Sequence, residues 1–175
     1  MAEGAHNTEP SFRDTALQYL DGLYGYAMTL TRNHVEAEDL VQETYLRAMS
    51  ACERLRPGSN LKSWLFTILR NIRFNQLRDS RSKPRSIETD APGTTPELED
   101  KSLKDPFSSY LTKIRQADVR KAIENLPAAY REVIVLREFE QLSYAEIAQI
   151  LDCRPGTVVS RLSRARGNLK DMLQP

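Results

Sequence analysis

Apolar positions in this chain recur every three or four residues over long stretches, and the strict alternation of a half-buried strand is hard to find. Gly is sparse as well. The pattern predicts an all-α protein, and it divides the chain into three zones. From about Ser11 to Arg81 the helical period is strong. Between Lys83 and Phe107 it lapses, and Pro84, Pro92, Pro96 and Pro106 surround the stretch "TDAPGTTPELED". From about Leu111 the period resumes and runs almost to the end. The middle zone is too poor in apolar residues to offset its ordering entropy, so it reads as a flexible tether. The predicted organisation is two small helical domains, 11–82 and 113–173, joined by a Pro-rich linker over 83–112.

Within the first domain, "HVEAEDLVQETYLRAM" predicts a helix with Val35, Leu40, Val41, Tyr45, Leu46 and Met49 inward, and with Asp39, Gln42 and Glu43 clustered on the other side. The Pro-Gly turn in "RLRPGSN" precedes a second amphipathic helix, "NLKSWLFTILRNIRFNQLRDSRS". Leu61, Trp64, Leu65, Ile68, Leu69 and Ile72 form its apolar stripe. Arg70, Asn71, Arg73, Phe74, Asn75 and Arg78 are left for the remaining surface or its margin.

The second domain ends in a helix pair. In "LSYAEIAQIL", Ser143 and Glu146 have the spacing of a capping box, and Ile147, Ala148, Ile150 and Leu151 supply a buried face. "DCR" interrupts, and Pro155 suits the first turn of a new helix, where its missing N–H costs nothing. In that helix Val158, Leu162, Ala165 and Leu169 form the buried stripe, while Thr157, Val159, Ser160, Ser163 and Arg164 face elsewhere. Short polar side chains permit close approach to a major groove, and an Arg can bridge guanine O6 and N7. Arg154 at the helix start, and Arg161 or Arg166 on its flanks, suit phosphates. The competing reading is an ordinary α-hairpin with a solvated basic face. The stretch "VRKAIENLPAAYREVIVLREFEQ" reads as the supporting bundle, through Ile123, Leu126, Val133, Ile134 and Leu136.

Charge sharpens this picture. The net charge of +1 conceals an uneven distribution. Between Glu36 and Glu53 the acids Glu36, Glu38, Asp39, Glu43 and Glu53 face Arg47 alone. From Lys62 to Arg85, Lys62, Arg70, Arg73, Arg78, Arg81, Lys83 and Arg85 face only Asp79, and from Arg154 to Lys170 no acid occurs. Two basic segments and one acidic one point to at least two different partners. The acidic helix reads as a solvated face or as a docking surface for a basic protein. The basic helix suits a single nucleic-acid strand, its cations holding phosphates, its amides reading base edges and its ring stacking a splayed base.

Other chemistry finds little support. His34 and Glu38 share a helical face, but no second His and no matching ligand set accompany them. No nucleophile–His pairing or Gly-rich phosphate loop is present, so neither catalytic residues nor a metal or other cofactor are expected. Cys52 and Cys153 stand apart and read as reduced thiols. The start, "MAEGAHNTEP", does not resemble a signal peptide, and no apolar run is long enough to span a bilayer. A cytoplasmic location is expected.

Taken together, "AEDLVQETYLRAM", "LKSWLFTILRNIRFNQLRDSR", the Pro-rich linker, "LPAAYREVIVLREFEQLSYAEIAQIL" and "GTVVSRLSRARGNL" resemble the extracytoplasmic-function sigma factors of bacterial RNA polymerase, members of the sigma-70 family. The resemblance covers nearly the whole chain apart from the linker and the extreme N-terminus. It implies a sigma2-like bundle and a sigma4-like helix-turn-helix that bind core polymerase and direct promoter recognition and opening. It also implies a partner anti-sigma factor, which holds the protein inactive and in some cases recruits it to the membrane.

By that resemblance, the helix with Asp39, Gln42, Glu43 and Leu46 docks on the coiled-coil of the polymerase β′ subunit, and the sigma4-like domain meets the β flap. Leu55, Ser59, Asn60, Leu61, Arg70, Asn71, Phe74, Asn75 and Arg78 would open and read the −10 element. Arg154, Thr157, Val159, Ser160, Arg161, Ser163, Arg164 and Arg166 would read the −35 element as duplex. The sequence departs from the family's pattern at Leu55 and Leu61, where an aromatic is common, and in its Cys-Arg-Pro-Gly opening of the recognition helix. The alternative reading is a stand-alone helix-turn-helix regulator, and a small helical enzyme is a distant third.

Overall fold

A computed structural model describes residues 12–55, 58–82 and 106–174, and among them it contains helices and turns but no strand. The N-terminal unit comprises α1 (Phe12–Leu17), α2 (Leu20–Thr31), α3 (His34–Ala51) and α4 (Leu61–Ser82), with a 3₁₀ turn at Cys52–Arg54. Helix α2 stops at Arg32, which adopts the left-handed conformation (φ 56°) and donates its N–H to Met28 O at 2.9 Å. Asn33 then starts α3, its side-chain oxygen accepting from the Val35 and Glu36 amides at 2.9 and 3.2 Å.

The buried stripe of α3 is Ala37, Leu40, Val41, Thr44 and Ala48. This corrects the sequence expectation. Val35 and Leu46 are 67% and 63% exposed, and Met49 is exposed too. At about 100° per residue, a stripe centred on Ala37, Thr44 and Ala48 places Val35 and Leu46 on the far side of the helix. The small residues were overlooked because hydrophobicity alone ranks them low, yet they let neighbouring helices approach closely. The Thr44 hydroxyl remains satisfied, donating to Leu40 O at 2.7 Å.

Helix α4 buries Leu65, Leu69 and Ile72 as expected, with Leu61, Trp64 and Ile68 half-buried. It also fully buries Phe66, which lies against Tyr26 with ring centroids 5.4 Å apart. Its apolar surface is therefore wider than the predicted stripe, because α4 is covered from two directions, by α2 and α3 and by the C-terminal unit.

That unit comprises α5 (Pro106–Asn125), α6 (Ala128–Ile134), a π-helical turn (Val135–Phe139), α7 (Tyr144–Ile150) and α8 (Pro155–Leu173). The C-terminal end of the predicted linker, 83–112, overlaps α5. Residues 106–112 are helical, with Pro106 at the first position, where its fixed φ is compatible with a helix. Residues 83–105 lie outside the described residues.

Residues Arg131 to Leu136 are all buried, the signature of a segment enclosed on every side rather than amphipathic. It lies between α8 and α2. The two units are thus packed against each other around one continuous core, which includes Leu23, Tyr26 and Leu65 from the first and Leu126, Leu136 and Leu162 from the second. Each such buried Leu contributes about 1.5–3 kcal/mol. Polar ties reinforce the contact: Arg131 donates to Thr29 O (3.3 Å) and Leu126 O (3.0 Å), and Arg32 donates to Glu124 O (2.8 Å).

Candidate nucleic-acid and polymerase interfaces

The helix-turn-helix forms as its sequence dictates. The Ser143 side chain accepts from the Glu146 amide at 3.3 Å, and the Glu146 carboxylate accepts from the Ser143 amide at 2.7 Å. The Ser143 hydroxyl also donates to the Glu146 carboxylate at 2.5 Å, and this bond first, with that from the Ser143 amide, lowers the Glu146 pKa below its ordinary value. The turn between α7 and α8 folds back through Leu151 N–H to Ile147 O (2.9 Å) and Cys153 N–H to Ala148 O (3.0 Å). Asp152 takes the left-handed position (φ 47°), which a short polar side chain tolerates better than most. Pro155 then opens α8, where Val158, Leu162 and Ala165 are buried and Leu169 is half-buried.

The outer face of α8 presents Arg154, Val159, Ser160, Ser163, Arg164 and Arg166 to solvent, with Thr157 partly covered. The Ser160 hydroxyl donates to Thr157 O at 3.0 Å and keeps a free acceptor side. Arg166 is paired with Glu138 at 2.7 Å. Both partners are about half exposed, so releasing Arg166 to a phosphate costs at most about 1 kcal/mol. Arg161 is half-covered and close enough to Glu132 to stabilise its carboxylate.

The second basic surface lies on α4 and the loop before it. Leu55 is half-buried, Gly58 has a positive φ of 82°, and Ser59 and Asn60 are exposed. Asn60 has a role that its assignment to base reading did not foresee: its side-chain oxygen accepts from Ser63 N at 3.1 Å and caps the start of α4. Farther along, Asn71, Phe74, Asn75 and Arg78 are exposed on one continuous surface. Arg78 donates to the Asn75 side-chain oxygen at 3.1 Å, and the Arg70 guanidinium stacks over Phe74, 4.2 Å from the ring centroid.

Arg70 itself is less exposed than the sequence reading supposed. Its Nε lies 3.6 Å from the Glu132 carboxylate, an ion pair rather than a hydrogen bond, and its Nη1 donates to Ile150 O at 3.4 Å. Burial pushes the Glu132 carboxyl pKa up, opposed by Arg70 first and then by Arg161 and Arg131. The buried Tyr26 hydroxyl sits beside this pair without a well-formed hydrogen bond of its own, and burial raises its pKa too.

The acidic surface is the outer side of α3. Asp39, Gln42 and Leu46 are exposed there, and half-covered Glu43 pairs with Arg47 at 2.6 Å. The spacing of these four residues, i, i+3, i+4 and i+7, puts them on one face. Beside them runs an apolar groove lined by Leu17, Leu20, Val41, Tyr45, Leu46 and Met49. Leu17, Leu20 and Met49 were not anticipated as part of this surface. Only their exposure in the folded structure reveals them.

Two helical units, one with a basic outer face on its helix-turn-helix and the other exposing a basic and an acidic helix, suit a protein that meets both nucleic acid and a protein partner. Comparison with known proteins agrees. Sigma-70 region 2 matches residues 16–83 and Sigma-70 region 4 matches residues 116–169. The ECF RNA polymerase sigma factor EcfG of Rhodopseudomonas palustris (strain TIE-1) is 39% identical over 163 residues, covering 93% of this chain and 85% of that relative. The ECF RNA polymerase sigma-E factor of Salmonella typhimurium (strain LT2) is 35% identical over 147 residues, covering 80% of this chain and 75% of the relative.

Among solved structures, the sigma factor RpoE in complex with the anti-sigma factor NepR, from Bartonella quintana, superposes with a TM-score of 0.71 at 34% identity. It covers 93% of this chain and 96% of that one. The chain belongs to the ECF sigma factors of the sigma-70 family. It is an alternative sigma factor, which binds core RNA polymerase and directs promoter recognition and transcription initiation.

Proposed function

We propose that the three surfaces divide the work of initiation among named residues. Asp39, Gln42, Glu43 and Leu46 on α3 dock on the coiled-coil of the polymerase β′ subunit. The loop from Leu55 to Leu61 and the α4 residues Arg70, Asn71, Phe74, Asn75 and Arg78 open and read the −10 element as a single strand. The outer face of α8 reads the −35 element as duplex, through Val159, Ser160, Ser163 and Arg164 at base edges and Arg154, Thr157, Arg161 and Arg166 at or near phosphates. The observation that carries this reading is the exposed, acid-free outer face of α8 on a properly capped helix-turn-helix.

The docking assignment draws on the combination of an exposed acidic row with an adjoining apolar groove on α3. An apolar centre with a polar margin is the usual anatomy of a protein interface, and the negative charge would orient a basic partner. The sigma4-like unit is taken to meet the β flap, and the segment between the units to act as the tether. An anti-sigma factor is proposed as the inhibitory partner, because RpoE was solved with the anti-sigma factor NepR. Among the described residues no helix is long and apolar enough to cross a membrane.

The test is co-elution with bacterial core RNA polymerase on size exclusion, repeated with Asp39→Arg. Wild type is expected to co-elute. The variant, which reverses charge at the N-terminal end of the acidic row, is expected to lose at least tenfold in affinity while keeping its helical circular dichroism. Unchanged affinity would remove α3 as the docking surface.

A further inference from the structure

Val159 is chemically out of place on the outer face of α8. Its neighbour Val158 and, one turn on, Leu162 are buried, whereas Val159 is 49% exposed. Among the described residues of α8, the other exposed large apolar side chains are Met172 and Leu173. They lie about 20 Å away at about 1.5 Å of rise per residue. A β-branched residue is also a mediocre helix former, and at this exposure it gains little packing in return. Isolated surface valines are commonplace. This one, however, stands among the side chains assigned to base edges.

Its surroundings are low. At about 100° per residue, Val159 and Arg164 lie about 140° apart around α8, with Ser160 and Ser163 between them. All four are exposed. The Ser160 hydroxyl is turned back along the helix, where it donates to Thr157 O at 3.0 Å. One turn before Val159 is Gly156, and no atom lies within 4 Å of where its Cβ would sit. Val159 therefore projects past a glycine and two serines. A surface approaching this face meets its methyl groups early.

We propose that Val159 selects a T·A pair in the −35 duplex by packing its γ-methyl groups against the thymine C5-methyl, a role that rests on α8 reading that duplex. Thymine alone among the four bases carries a methyl group in the major groove. Guanine, adenine and cytosine present hydrogen-bonding atoms there instead. A valine pressed against one of those would strip its water and offer no partner. Val159 thus favours T·A by contact and disfavours the other pairs by desolvation, and specificity is the difference between the two. Arg164 stands about 7.5 Å farther along the axis, about two base steps at 3.4 Å each. Its own base contact therefore falls on a different pair.

The test uses holoenzyme assembled from core polymerase and the full chain, on a promoter that it transcribes. Each thymine of the −35 element, on either strand, would be replaced singly by deoxyuridine. That base keeps every hydrogen-bonding atom and lacks only the methyl. Promoter binding would be measured at constant salt with wild type and with Val159→Ala, because alanine preserves the helix and shortens the side chain. At one thymine, deoxyuridine is expected to weaken wild type about fourfold, equal to about 0.8 kcal/mol at about 1.4 kcal/mol per tenfold. The same replacement should change Val159→Ala by less than about 1.5-fold, since the two partners of one contact are not additive. In place of that thymine, with guanine opposite, 5-methylcytosine should bind wild type better than cytosine does, and bind the variant no better.

A deoxyuridine penalty that persists in Val159→Ala would give the methyl contact to another residue and overturn the proposal. Penalties too small to measure at every thymine would overturn it as well, as would an element with no thymine on either strand. A scrambled −35 element separates this failure from that of the wider reading. If scrambling weakens binding while deoxyuridine does nothing, α8 still reads the duplex and Val159 does not select thymine. If scrambling has no effect, the assignment of α8 to the −35 element falls, and the role of Val159 falls with it.

Discussion

Single residues set where the helices begin, and Ser143 is the clearest case. Its side chain and that of Glu146 satisfy each other's backbone amides at the start of α7. Ser143→Ala removes the acceptor for the Glu146 amide and should cost about 1 kcal/mol in denaturant unfolding. A pH signature should accompany it. The Glu146 pKa in the folded protein lies below its unfolded value, chiefly through the Ser143 hydroxyl. Its stabilising contribution is therefore present above the unfolded pKa of about 4.3 and fades as pH falls through the lower folded value. Wild type should lose stability across that acid window faster than Ser143→Ala does. Equal acid slopes would mean that the hydroxyl does not hold the carboxylate in its charged form. This cap was fully legible in the sequence, because all its parts lie within four residues. The capping role of Asn60 was not, since that side chain fitted base reading equally well until its contact with Ser63 was seen.

At the scale of the element, each helix has to divide its surface between packing and recognition. Helix α8 makes the division cleanly: Val158, Leu162 and Ala165 are buried and Arg164 is exposed. Arg164→Ala should therefore leave folding and polymerase binding intact. It should weaken use of the preferred −35 sequence by about 1–3 kcal/mol in a holoenzyme transcription assay. An equal drop on a scrambled −35 element would reassign Arg164 to phosphate contact. The division on α8 could be read from the sequence because its apolar residues are large and regularly spaced. On α3 the sequence misled, because the buried stripe is built on Ala37, Thr44 and Ala48 while Val35 and Leu46 point outward. An exposed large apolar residue looks like core until the structure supplies its surroundings. Here Leu46 and Met49, read as core, instead line the groove beside the acidic row.

For the whole molecule, pattern along the chain could identify two helical units but not how they meet. The signal was present in the run of buried residues from Arg131 to Leu136, which includes charged Arg131 and Glu132. Charges at such positions look like a solvated face unless a partner from another part of the chain is known, and their partners here are Thr29 and Arg70, far away in sequence. A shared core has a thermodynamic consequence. The protein contains a single tryptophan, Trp64, in the N-terminal unit, where it packs edge-on against Phe12. Its fluorescence reports the unfolding of that unit, whereas far-ultraviolet circular dichroism reports helices from both. If the units stand on one core, the two denaturation curves should coincide in the free wild-type protein, as a single cooperative transition requires. Separate transitions in wild type would show that the interface adds too little to couple the units.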